Sequence, residues 1–154
     1  ILTSHGDIDE FEEIEGYLRT AFLKNVGVPL PRLIREIIED PAYWIAKDGI
    51  EEQYDIIGAT EYRRNADIQA VAIGEALRQR GVEANVYVGY NFMPPFIEDA
   101  IESARMDGVD EIVVFNKGAQ YSLATLGESI EEIDFSLRIY GLGNPIIYEK
   151  NWSK

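Results

Sequence analysis

Residues 89–115 read GYNFMPPFIEDAIESARMDGVDEIVVF. Pro94 and Pro95 predict the opening of a helix, because a first helical turn needs no backbone N–H bond and suits proline's fixed φ. Ile97, Ala100, Ile101 and Ala104 recur at helical spacing and predict its buried face. Gly108 in the Asp-Gly turn ends it. The segment just before this stretch, Ala84–Val88, reads as a strand, and so does the unbroken apolar run Ile112–Phe115. A strand without polar alternation fits a sheet covered on both faces. Two strands joined through a helix lie parallel, since a parallel pair requires a crossover.

The same alternation extends outward in both directions. Ile1–Ser4 reads as the close of a first strand. A helix follows from about Asp9, with Phe11, Ile14, Leu18 and Phe22 on one face and Asp9/Glu12 spaced as a capping box. Gly27, Pro29 and Pro31 break it. A second helix carries Leu33, Ile34, Ile37 and Ile38, and Pro41 is expected to interrupt it. Ala42–Gly58 reads as short helical pieces joined at Gly49. Thr60 is expected to cap a long helix that buries Ala66, Ala70, Ile73 and Leu77 and stops at Gly81. Beyond the central unit, a helix from about Ala124 carries Leu126, Ile130, Ile133 and Leu137, and Pro145–Tyr148 reads as a last strand.

These elements predict one α/β domain over residues 1–154: a three-layer sandwich on a four-stranded, mainly parallel sheet, flavodoxin-like or Rossmann-like. In such sheets ligands bind beyond the carboxyl ends of the strands. Ser4–Asp9, Gly89–Pro94 and Asn116–Thr125 therefore become the segments to search.

Composition narrows the chemistry. The chain has no cysteine, which excludes disulfides, thiolate nucleophiles and cysteine-based metal centres and fits a reducing, cytoplasmic setting. A formal net charge of −14 argues against a nucleic-acid surface, which needs a basic footprint. An acidic surface attracts cations, or serves only solubility. No apolar run approaches the roughly 18 residues that span a bilayer, so no transmembrane segment is expected. There is no phosphate-binding G-x-x-x-x-G-K-[ST] loop, no G-x-G-x-x-G after a strand and no G-x-S-x-G elbow. Asn116–Lys117 is not half of a guanine site either, because Ala119 stands where N-K-x-D needs its aspartate.

Three groups of candidates remain. His5 is the only histidine in the chain. A lone histidine near a strand end is more often structural, but its place at the ligand-binding end of a sheet raises the functional case. One imidazole makes no metal site unaided. Asp7, Asp9 and Glu10 stand near enough in sequence to add carboxylates, although acids in a first helical turn are also favoured by the helix dipole. Ser122 and Thr125 fall near a helix N-terminus, where they serve as caps or help hold an anion. Tyr90, Asn91, Phe92 and Met93 either form the lip of a site for a flat hydrophobic ligand or fold back into the core.

Three stretches carry a family resemblance. QYDIIGATEYRRNADIQA (53–70), the 89–115 stretch and AQYSLATLGES (119–129) resemble, in order and spacing, the first lobe of the ferrochelatases. The Gly-Gly-x-Ser-Pro element of that family is Gly58-Ala59-Thr60-Glu61-Tyr62 here, and the proline before its Q-Y-S run is Ala119. The resemblance implies insertion of a divalent metal into a tetrapyrrole, with a place in haem and porphyrin biosynthesis. The metal is then a substrate, iron first and cobalt or nickel after it, and no organic cofactor is implied. Two similar lobes hold the porphyrin in that family, so a second lobe or a homodimer is implied, and the histidine and glutamate of the second lobe have no counterpart here. Tyr121, Ser122 and Thr125 would sit on the cleft, with Tyr90, Asn91 and Met93 in its wall.

The opening Ser4-His5-Gly6-Asp7 departs from the ferrochelatase G-T-P and looks like the small cobalt and nickel chelatases. That likeness implies a metal ligand at His5 alone, and the partner histidine of those relatives has no counterpart here. His5 is then expected as metal ligand or base, with nearby acids such as Asp7 helping to deliver the cation. A lobe that binds tetrapyrrole or metal without catalysis, as a carrier or partner module, is the alternative expectation.

Overall fold

The computed structural model describes residues 1–24, 31–58, 60–117, 127–143 and 146–148. Four strands are assigned: β1 (Leu2–Ser4), β2 (Val88–Tyr90), β3 (Val113–Asn116) and β4 (Ile146–Tyr148). They lie in the order β2-β1-β3-β4, every neighbouring pair parallel. The helices are α1 (Ile14–Leu23), α2 (Arg32–Ile57), α3 (Tyr62–Gln79), α4 (Ile97–Met106) and α5 (Glu128–Tyr140). The α/β class with a parallel sheet is therefore as the sequence predicts. No helix among the described residues is long and apolar enough to cross a membrane.

The strand order fixes where a ligand can sit. From β1 the chain goes out to β2 on one side, then crosses back through α4 to β3 on the other. Right-handed crossovers in opposite directions put α1–α3 and α4–α5 on opposite faces of the sheet. The packing agrees. Ile97, Ile101 and Ala104 of α4 share one cluster with Ile133 and Leu137 of α5 and with Ile112 and Val114. Ile14 and Leu18 of α1 share another with Ile8 and Tyr43 of α2. Between β1 and β3 the connections diverge, and beyond the carboxyl ends of such a pair an open α/β sheet is expected to have its ligand crevice.

Helix α4 buries all four of its predicted inward residues. Asp99 accepts the Phe96 N–H at 2.7 Å and closes its first turn. Other elements differ from the expectation, each for a local reason. Pro41 lies inside α2, which runs without a break to Ile57 and absorbs both Pro41 and Gly49. Arg19 of α1 bonds Glu39 at 3.1 Å and Asp40 at 2.6 Å, and its guanidinium lies 4.7 Å from the Tyr43 ring centroid. Those contacts clamp the turn around the proline and offset its missing hydrogen bond. The apolar residues Leu33, Ile34, Ile37 and Ile38 that this helix carries are exposed, Leu33 at 68% and Ile37 at 67%.

At the start of the first helix, Glu13 rather than Glu12 accepts from the Asp9 and Glu10 N–H groups, at 3.0 and 3.3 Å. Asp9 instead pairs with Arg63 at 2.8 Å, and Phe11 is exposed. In α3 only Ala66 and Ala70 of the predicted face are buried; Ile73 is exposed and Leu77 half-buried. Strand β2 lies further along the chain than Ala84–Val88, because Leu2 of β1 pairs with Val88 and so sets the start of the ladder. Helix α5 buries Ile133 and Leu137 and leaves Ile130 half-buried, while Ala124 and Leu126 lie outside the described residues.

Candidate functional site

His5 is the first residue beyond β1. Its backbone and that of Ser4 hold the loop after β2: the Asn91 N–H donates to Ser4 O and the Phe92 N–H to His5 O, both at 3.0 Å. The Tyr90 N–H donates to Pro95 O at 2.8 Å, so this loop turns back on itself before entering α4. Tyr90, Asn91, Phe92 and Met93 are all buried. Of the two sequence readings of YNFM, folding back into the core is the arrangement found. Tyr90 and Met93 pack with Ala66 of α3, beneath the end of β1 rather than in the open.

The His5 imidazole is half-buried and meets the Phe92 ring at 5.1 Å between centroids. Its Nε2 is buried without a hydrogen-bond partner. Burial disfavours the charged ring, so its pKa falls below the ordinary 6.5. A neutral imidazole with an unoccupied ring nitrogen is suited to taking a proton or a metal ion.

Gly6 turns the chain away from the strand at φ +85°, a left-handed conformation that glycine adopts without penalty. Asp7 then donates its N–H to Met93 Sδ at 3.1 Å. Its carboxylate faces α2 and α3. Oδ1 accepts from the Tyr54 hydroxyl and from the Ile8 N–H at 2.9 Å, and Oδ2 accepts from the Thr60 hydroxyl at 3.2 Å. Thr60, expected to cap α3, thus ties Asp7 instead. Three donors on one carboxylate fix the loop and occupy much of the lone-pair capacity that a metal would use. Asp9 is taken by Arg63, and no group of three or more His, Asp or Glu side chains converges as a metal site among the described residues.

On the other side of the crevice, β3 ends in Asn116, with Lys117 next. Asn116 Nδ2 reaches Thr3 Oγ1 at 3.2 Å and Ser129 Oγ at 3.5 Å, and Ser129 donates to Asn91 Oδ1 at 3.1 Å. This buried polar chain links the ends of β1, β2 and β3 to the start of α5. The Lys117 N–H continues the ladder to Thr3 O at 2.8 Å. The Lys117 ammonium lies over Tyr62 of α3, 4.9 Å from its ring centroid, and burial lowers its pKa. Tyr62 in turn meets Tyr90 at 6.0 Å. Tyr121, Ser122 and Thr125 lie outside the described residues.

A sequence model of the ferrochelatase family matches residues 1–145. The chain belongs to the ferrochelatase family. Among curated relatives it is similar to ferrochelatase-2, chloroplastic, of Cucumis sativus, 31% identical across 99% of this chain and 31% of the relative. It is also similar to the ferrochelatase of Synechococcus sp. strain CC9311, 29% identical across 86% of this chain and 34% of the relative. Ferrochelatase-1, chloroplastic/mitochondrial, of Arabidopsis thaliana is 29% identical across 99% and 34%. The chain thus spans about a third of the length of these ferrochelatase relatives.

Within this ferrochelatase-family chain the residues that sequence reading did not single out are Tyr54 and Tyr62, and Lys117 within the searched segment Asn116–Thr125. The only sequence signal for Lys117 is its position directly after an apolar strand. His5 gives a clean observable, because a single histidine yields one imidazole C2 proton in the NMR spectrum. Its titration midpoint is expected below 6.5 in the folded protein; a midpoint at or above 6.5 would contradict its burial. The sign for stability follows. Folding favours the neutral ring, so the contribution is complete above pH 6.5 and declines as pH falls below it.

Proposed function

We propose that this chain forms one wall of a site that inserts a divalent metal, ferrous iron first, into a porphyrin or a related tetrapyrrole. The observation that carries the reading is the unpaired Nε2 of His5 at the β1/β3 crevice of a ferrochelatase-family lobe. Insertion requires the metal to shed water, the macrocycle to distort, and two pyrrole protons to leave for each metal that enters. A neutral imidazole held in a partly desolvated position accepts such a proton or briefly ligates the entering cation. The acidic surface raises the local concentration of that cation.

Tyr90, Asn91 and Met93 act from below in this reading, holding the loop that carries Phe92 against His5. Asp7 keeps the Gly6–Ile8 turn in place through Tyr54 and Thr60 rather than moving with the metal. Tyr121, Ser122 and Thr125 are assigned to the polar edges of the macrocycle on the resemblance alone. One lobe supplies half of a cleft, and a second lobe or a second copy of the chain supplies the other half.

The test is spectrophotometric. Purified protein is given a metal-free porphyrin and ferrous, zinc or cobalt ion under anaerobic conditions. The metal-free bands are expected to give way catalytically to those of the metalloporphyrin. A shifted Soret band with no turnover, in the presence of each metal, would count against insertion by this chain.

A further inference from the structure

Strand β2 forms one edge of the sheet, with β1 as its neighbour on the inner side. The Leu2 N–H donates to Tyr87 O and the Asn91 N–H to Ser4 O. The odd-numbered residues of β2 therefore bond β1, and Val88 turns its N–H and C=O outward. At Tyr90 that outer side is already covered, by the Tyr90 N–H bond to Pro95 O and a bridge to Phe96. No such cover reaches Val88 among the described residues. An uncovered strand edge is a template for another strand.

Beside this edge lies a groove of about 540 Å³, within the range of ligand sites. Val86 and Val88 form one wall, and α3 forms the other through Asp67, Gly74, Glu75 and Arg78. Glycine weakens a helix interior, yet a Cβ added at Gly74 would find only Val86 Cγ2, at an ordinary 3.7 Å. Close packing does not demand this glycine; its effect is to leave the groove open. Helix α3 runs opposite to β2, since Ala66 packs with Tyr90 and Gly74 faces Val86. Asp67 therefore stands by the end of β2 and Arg78 by its start. Arg63 and Arg64 are taken by Asp9, Glu13 and Glu61, and Asp67 and Glu75 have no ion-pair partner among the described residues. These two acids are about 12 Å apart along the helix. An extended strand covers that distance in about four residues, so side chains at i and i+4, on one face, meet both.

We propose that this groove is a strand-addition site for an extended, basic segment of a partner protein. The segment pairs with the outer edge of β2 at Val88 and sets two basic side chains, at i and i+4, on Asp67 and Glu75. Main-chain bonds supply the alignment, and the two acids select a cationic segment. Arg78 repels a further lysine and so limits the basic pattern to that span. A second copy of the chain lacks the match, because its own edge segment, Val82–Val88, carries Glu83 and no Lys or Arg. The site lies at the sheet edge, away from the β1/β3 switch point, and does not depend on the tetrapyrrole reading.

The test is fluorescence anisotropy with a dye-labelled, end-blocked peptide of alternating threonine and valine that carries lysines at i and i+4. Wild type is expected to bind it about tenfold more tightly than the same peptide with glutamates, and to release it when its backbone is N-methylated. Gly74→Leu fills the groove from a helix position that suits leucine. It is expected to unfold no earlier than wild type and to bind the lysine peptide about tenfold or more weakly. Asp67→Asn combined with Glu75→Gln leaves the groove open and is expected to remove the preference for lysine. Both positions are exposed, so this variant carries the test if Gly74→Leu does not fold. Undiminished binding by folded Gly74→Leu, or equal affinity of wild type for the lysine and glutamate peptides, would overturn the assignment. Wild type that ignores every peptide would overturn it too. A native mass showing a dimer that Gly74→Leu breaks apart would give the edge to a second copy instead.

Discussion

Gly6→Ala is expected to lower the stability of the protein by about 3 kcal/mol, the sum of a left-handed backbone penalty and core crowding. At φ +85° an added Cβ would stand 2.6 Å from Met93 Cγ, 2.8 Å from its Sδ and 3.1 Å from Tyr90 Cβ. Met93 is 4% exposed and Tyr90 1%, so neither side chain can swing into solvent. The thioether would have to leave Gly6, and the Asp7 N–H would lose its contact with Met93 Sδ. The turn that carries His5 into the crevice would open with it. Urea denaturation of the two proteins measures the effect. A variant with wild-type stability would show that Met93 does not lie against this turn.

Gly89→Ala is expected to cost a similar amount, about 3 kcal/mol, for a different reason. The added Cβ would lie 2.8 Å from Ile97 Cα and 3.2 Å from both Ile97 N and Ala100 Cβ. The obstacle is helix backbone, which has no rotamer to change. Helix α4 would have to lift from β2, and Ile97 and Ile101, both fully buried, would lift with it. The start of α4 also anchors the loop that lies against His5, through the Tyr90 N–H bond to Pro95 O. A lower denaturation midpoint should therefore come with a displaced His5 imidazole signal. An unchanged midpoint would contradict the close strand–helix approach.

What the sequence made legible was the local pattern that agrees with its surroundings. Ile97, Ala100, Ile101 and Ala104 named the buried face of α4 correctly because no tertiary contact competes with that helical stripe. Pro41 misled because its effect on a helix is decided by a neighbour: Arg19 of α1 ties both sides of that turn, and no local signal in residues 32–57 reveals it. Leu33 and Ile37 are exposed, since apolar spacing reports an amphipathic face without reporting whether the fold covers it. The strand limits moved because parallel pairing with β1, not apolar content, determines where β2 begins.

The site divides along the same line. His5 was legible because a unique histidine at a strand end is a sequence-level fact. Lys117 was not, because its contact with the Tyr62 ring and its place beside the end of β1 exist only once β1 and β3 are side by side. Asp7 looked like a ligand from its spacing to His5. The fold turns its carboxylate toward Tyr54 and Thr60, more than 45 positions away in the chain.

The most direct test of metal insertion at the β1/β3 crevice is the initial rate of porphyrin metallation by wild type and by His5→Ala, at matched occupancy by porphyrin. The account predicts that wild type turns over and that the variant, still folded and still shifting the Soret band, loses about 100-fold or more of the rate. Equal rates in the two proteins would contradict it.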